Sequence, residues 1–102
     1  DEFKEVFEVA VRMFPDDPTA NVNAAAIELQ QGNWSLAKKY LLKSDPQAGA
    51  TKNNEGVMWM MQGNFDKAEA LFNEAKALGN ADAEKNLEEI TKKRKDNALY
   101  GE

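Results

Sequence analysis

Apolar residues recur at three- and four-residue intervals along most of this chain, the period of amphipathic helices rather than of half-buried strands. Over residues 1–14 they are Phe3, Val6, Phe7, Ala10 and Phe14, and Pro15 ends the run. Asp17-Pro18 reads as an N-cap followed by proline at the first helical position. A second helix is therefore expected over 18–31, with Gly32 closing it. Further helices are expected over 34–43, 51–62, 65–78 and 81–95. The separators are a connector holding Asp45-Pro46 and Gly49, then Gly63, then Gly79-Asn80, where Asn80 can cap the last helix. Residues 96–102 read as a frayed tail. No segment alternates with a period of two, so the expected fold is all-α, with about six helices and turns short enough to make neighbours antiparallel.

Two stretches repeat one another. Gly32-Asn33-Trp34-Ser35-Leu36-Ala37-Lys38-Lys39-Tyr40-Leu41 is answered by Gly63-Asn64-Phe65-Asp66-Lys67-Ala68-Glu69-Ala70-Leu71-Phe72, at an offset of 31 residues. Glycine, asparagine, an aromatic residue, alanine and a large apolar residue return in the same order. Self-similarity at this period marks a stacked helical array, whose units bury their apolar faces on one another.

In their order these residues resemble the tetratricopeptide repeat. That repeat has a small residue in its first helix, Gly-Asp/Asn-aromatic at the turn, then alanine, a large apolar residue, a second alanine and often proline. Ala25, Gly32, Asn33, Trp34, Ala37 and Leu41 fill these places in one repeat, with Ser44 standing for the second alanine. Gly56, Gly63, Asn64, Phe65, Ala68, Phe72 and Ala75 fill them in the next. Phe7, Ala10 and Pro15 are similar to the end of a preceding repeat, and Asn80 to Leu87 to the opening of a later one. Related helical repeats of about 36 residues, with similar alanine patterns, are the close alternative. The resemblance implies a right-handed superhelical array of antiparallel helix pairs in one domain over 1–102. Its parts would be half a repeat at 1–15, repeats at 18–45 and 49–78, a capping helix at 80–95 and a tail at 96–102. Glu88 stands where a small residue would admit a packing partner, and reads as the polar outer face of that cap. The register advances by about 34, 31 and 32 residues, so the connectors at 44–50 and 77–81 are expected to be tight. Ala37 and Ala68 are expected at close helix crossings, and Trp34 and Phe65 are expected to pack back onto the helix before them.

The resemblance also implies a concave groove lined by the first helix of each repeat. Its candidate residues are Val22, Asn23 and Leu29 from the first repeat, Asn54, Val57, Met60 and Met61 from the second, and Lys85 and Asn86 from the cap. Asn23, Asn54 and Asn86 fall at equivalent positions. A carboxamide carries donors and an acceptor, so such a row can pair with an extended peptide backbone, or instead bond water and neighbouring helices. Some family members clamp a terminal carboxylate with basic residues at the places that Val22 and Ala26 hold here. The present groove, apolar with lysines at one end, suits a short apolar-acidic peptide better. The run Met58-Trp59-Met60-Met61 cannot lie on one helical face, so part of it belongs to the core.

Composition narrows the function. Neither cysteine nor histidine is present, which removes disulfides, thiolate and imidazole metal ligands, and every Ser-His or Cys-His arrangement. No carboxylate pair has a setting that marks a catalytic acid; Glu84 and Glu88 read as a solvated face. Neither catalysis nor a cofactor is expected. A net charge of -5 disfavours nucleic acid, and Lys92-Lys93-Arg94-Lys95 reads as a basic last helical turn meeting the helix dipole. No apolar run approaches the roughly 20 residues that cross a bilayer. A chain opening at Asp1 without Met or a leader reads as a mature chain or a fragment, compatible with the cytoplasm or the periplasm. The expected role is a non-catalytic module that binds a protein or peptide. The alternative is an accessory or self-association domain of a larger protein, such as a bacterial envelope protein, using the apolar flank Phe3, Val6 and Phe7 against a second copy or a neighbouring domain.

Overall fold

A computed structural model describes residues 2–100, with the side chains of 4–98. Its six helices are α1 (Glu2–Met13), α2 (Pro18–Gln30), α3 (Trp34–Leu41), α4 (Gly49–Met61), α5 (Phe65–Ala77) and α6 (Ala83–Tyr100), and no strand occurs among the described residues. Each helix packs on the next in sequence. α4 also touches α2 and α6, so α2, α4 and α6 form one row, while among the described residues α1, α3 and α5 make no close backbone contact with one another.

Local chemistry sets the helix ends. The Asp17 carboxylate accepts from the Ala20 amide at 2.9 Å, capping α2. Three helices leave through the same left-handed glycine, with φ of 80° at Gly32, 81° at Gly63 and 85° at Gly79. In each case the amide of the following asparagine reaches back to a carbonyl five residues earlier: Asn33 to Glu28, Asn64 to Trp59 and Asn80 to Ala75. Side chains at φ near +80° are strained, so glycine is required there.

The core consists of two clusters. Ala25, Leu29, Ala37, Leu41 and Met58 form the first; Ala68, Phe72 and Ile90 form the second. Val57 and Trp59 pack against both, so α4 joins them. Stability of this kind passes from neighbour to neighbour along a stack. Ala37 and Ala68 are fully buried, as close crossings require. Phe65 packs on the second cluster, whereas Trp34 is 39% exposed and joins neither.

Four boundaries depart most from expectation. α3 stops at Leu41 and spans 8 residues, against 13 for α5. There the Ser44 hydroxyl donates to the Leu41 carbonyl at 2.7 Å and accepts from Thr51 Oγ1 at 3.1 Å. Serine in place of alanine thus closes the chain early and ties it to α4. α4 in turn starts at Gly49 rather than near Thr51. A Cβ at Gly49 would lie 3.3 Å from the Cβ atoms of both Leu78 and Asn80, so the two tight connectors meet where only glycine fits easily. Asn80 shapes a turn by accepting from the Asp82 amide at 3.1 Å, and α6 begins after it. Residues 96–100 continue α6 instead of fraying; Gly101 and Glu102 lie outside the described residues. The basic run is therefore mid-helix, and the dipole explanation does not apply to it. Arg94 instead reaches across to α5, with contacts of 2.7 Å to Asp66 and 2.8 Å to Glu69.

Candidate functional site

The row of α2, α4 and α6 encloses a depression of about 380 Å³. Helical geometry places Ala26, Leu29 and Gln30 on one side, Asn53, Asn54 and Val57 on the floor, and Asp82, Lys85 and Asn86 on the other side. Of the nine groove residues read from the sequence, Leu29, Asn54, Val57, Lys85 and Asn86 meet here. Val22 lines a separate hollow, together with Pro46 and Thr51. Asn23 is half-buried and makes no hydrogen bond to another described residue. Met60 packs against the second core cluster, and Met61 is exposed at the end of α4 away from the depression. In the methionine run, Met58 is buried and Trp59 half-buried.

The asparagine row is partly engaged within the fold. The Asn54 amide donates to the Val22 carbonyl at 3.2 Å, linking α4 to α2. The Asn86 amide donates to Asn53 Oδ1 at 2.9 Å, linking α6 to α4. These bonds set the spacing of the three helices. Asn53 also falls at a groove-facing position of the repeat register; it stands beside Asn54 but faces α6, and its pairing with Asn86 is what the register alone does not give.

The opposite side of α4 carries other features. Glu55 is half-buried, and burial pushes its carboxyl above the ordinary value, with Lys52 opposing and Glu74 adding. Lys52 Nζ lies 3.2 Å from the Glu74 carboxylate. Lys67 Nζ sits 4.3 Å from the centre of the Trp59 ring. Between α1 and α3, burial and then Glu28 and Glu8 raise the Tyr40 phenol, which keeps it neutral. Glu28 is buried and accepts from the Asn33 side-chain amide at 3.1 Å. The equivalent Asn64 instead caps α5, accepting from the Lys67 amide at 3.2 Å. No helix among the described residues is long and apolar enough to cross a membrane.

Residues 36–83 match the tetratricopeptide repeat family, a span running from α3 through α4 and α5 to the first residue of α6. Comparison with curated proteins and with solved structures gave no match. Repeats of this family are generally non-catalytic and typically mediate protein–protein interaction. The family match and the all-helical, six-helix architecture together support a tetratricopeptide-like repeat family for this chain.

Proposed function

We propose that the chain is a non-catalytic binding module that holds a short apolar-acidic peptide in the depression between α2, α4 and α6. One observation carries this reading. Leu29 and Val57 offer apolar lining, Lys85 a cation, and Asn54 and Asn86 carboxamides, all from three different helices at one depression. Each of these asparagines spends an amide hydrogen on a neighbouring helix. Their carbonyl oxygens make no hydrogen bond to a described residue and serve as acceptors for a peptide backbone. Asn23 extends the row toward Val22. Lys85 would draw an acidic residue of the peptide to the α6 end, while Asp82 disfavours an acidic residue beside itself.

An array of short peptides of varied charge tests this. Binding is expected to concentrate on apolar sequences with one or two acidic residues, and to weaken in Lys85→Glu. An array with no binder, or binders indifferent to Lys85→Glu, would contradict it.

A second reading rests on α1, where Val6, Val9 and Met13 form one exposed apolar ridge at helical spacing. Of the flank read from the sequence, Val6 lies on this ridge and Phe7 is half-buried. The Phe3 side chain lies outside the described residues. This ridge would pair two copies or dock on a neighbouring domain. Sedimentation at rising concentration tests it: a shift toward dimer that Val6→Asp abolishes is expected, and a strict monomer would refute pairing of copies.

A further inference from the structure

Where α3 stops early, a pocket of about 290 Å³ opens between α3, its connector and α4. Its walls are Leu41, Leu42, Pro46, Met58 and Trp59, and Glu55 also lines it. These residues occupy a different face of α4 from the depression described above. Leu42 is 78% exposed on the rim, an apolar side chain with little to cover it. The Ser44 and Thr51 hydroxyls at the side are committed to one another and to the Leu41 carbonyl.

Glu55 is the unusual member. It makes no hydrogen bond or ion pair with any described residue, although it is half-buried beside apolar walls. The nearby Lys52 is held by Glu74. Glu55 thus shares with Glu74 the attraction of Lys52 and has no direct contact with a cation, so a carboxylate half withdrawn from water gains from a cation brought to it. The bordering Trp59 ring already takes one cation, Lys67, and aromatic rings stabilise such charges. An occupant must therefore combine an apolar stem with a cationic head. Guanidinium fits better than ammonium, because it is flat, weakly hydrated, stacks on aromatic rings and meets a carboxylate with two parallel donors.

We propose that this pocket docks an arginine side chain of a partner protein, flanked by apolar residues, with the guanidinium on Glu55 and Trp59 and the flanking residues on Leu41, Leu42 and Met58. The site stands apart from the α2–α4–α6 depression and does not depend on it. Lys38 on the rim opposes any cation in part, so the guanidinium must reach Glu55 directly and a second cation beside it is disfavoured.

The test uses the whole chain, ¹⁵N-labelled, titrated with acetyl-Leu-Arg-Leu-amide and with the same peptide carrying neutral citrulline. The arginine peptide is expected to shift the amides of Leu42, Glu55 and Trp59 saturably, with the citrulline peptide about tenfold weaker, the factor typical of a charge-assisted hydrogen bond. Glu55→Gln should erase that tenfold difference, and Glu88→Gln, on the exposed face of α6, should keep it. Leu42→Ser, an exposed position that leaves the core alone, should weaken both peptides alike. Equal binding of the two peptides, a Glu55→Gln variant that still discriminates, or no saturable shift would overturn the proposal. So would shifts centred on Leu29, Val57 and Lys85, or agmatine binding as tightly as the arginine peptide.

Discussion

Gly56 is expected to resist replacement by alanine, although alanine is the better helix former. A Cβ at Gly56 would lie 2.5 Å from Phe72 Cε1 and 2.6 Å from Cδ1, closer than such atoms approach in proteins. The ring cannot swing clear, because Phe72 is fully buried in the second cluster with Ala68 and Ile90. Overpacking of this kind costs about 1–3 kcal/mol, and so close a contact belongs near the upper end. The helix-propensity gain of Gly→Ala offsets about 1 kcal/mol. Gly56→Ala should therefore destabilise by about 1–2 kcal/mol, a fall in Tm of roughly 5–15 °C for a domain of this size. The equivalent pair in the first repeat is Ala25 with Leu41, both in the first cluster, which suggests the compensating change. Phe72→Leu alone should destabilise by leaving a cavity, but Gly56→Ala in that background should lose less than in the wild type. Urea denaturation of the four proteins gives the cycle, and a coupling of about 0.5–3 kcal/mol is expected for residues in contact. A more stable Gly56→Ala, or strict additivity, would refute the claim that the ring presses on this helix.

Three further outcomes are expected. Ala68→Leu, at a fully buried crossing, should destabilise by about 1–3 kcal/mol, and an unchanged melting temperature would contradict the register. Arg94→Ala should lower global stability by less than about 1 kcal/mol, because Asp66 is almost fully solvated and Arg94 only half-buried, yet speed amide exchange in the second half of α6. Glu55 holds its proton to higher pH in the folded chain than its ordinary value of 4.5, so its ionisation weakens folding as pH rises through the interval between the two. Glu55→Gln should therefore raise Tm at pH 7 and bring no such gain below pH 4.5; a lower Tm at pH 7 would show that the carboxylate has a stabilising partner.

The parts of the fold that were legible are those governed by local backbone chemistry. Gly32, Gly63 and Gly79 must take positive φ, Asp17-Pro18 must start a helix, and the repeated alanines must sit at close crossings. What stayed hidden depends on contacts between distant residues. Leu41-Leu42-Lys43 reads as continuing helix; the Thr51–Ser44–Leu41 chain of hydrogen bonds shows how it is stopped. Residues 96–100 lack an apolar stripe and read as frayed. They instead follow a turn that Arg94 fastens to α5, a pairing across 25 and 28 residues that no local pattern displays. The candidate site was legible to the same extent. Repeat register aligned Asn23, Asn54 and Asn86, but their partners depend on how far apart adjacent helices settle. Met60 shared the groove-facing register, yet the large cluster around Phe72 drew it inward.

The central claim is that the row of α2, α4 and α6 forms the binding face. A peptide selected from a random displayed library on the immobilised chain, then mapped by amide hydrogen exchange, tests it most directly. Protection is expected in the segments holding Leu29, Asn54 and Val57, and Lys85 and Asn86. Protection confined to α1, α3 and α5 would contradict it.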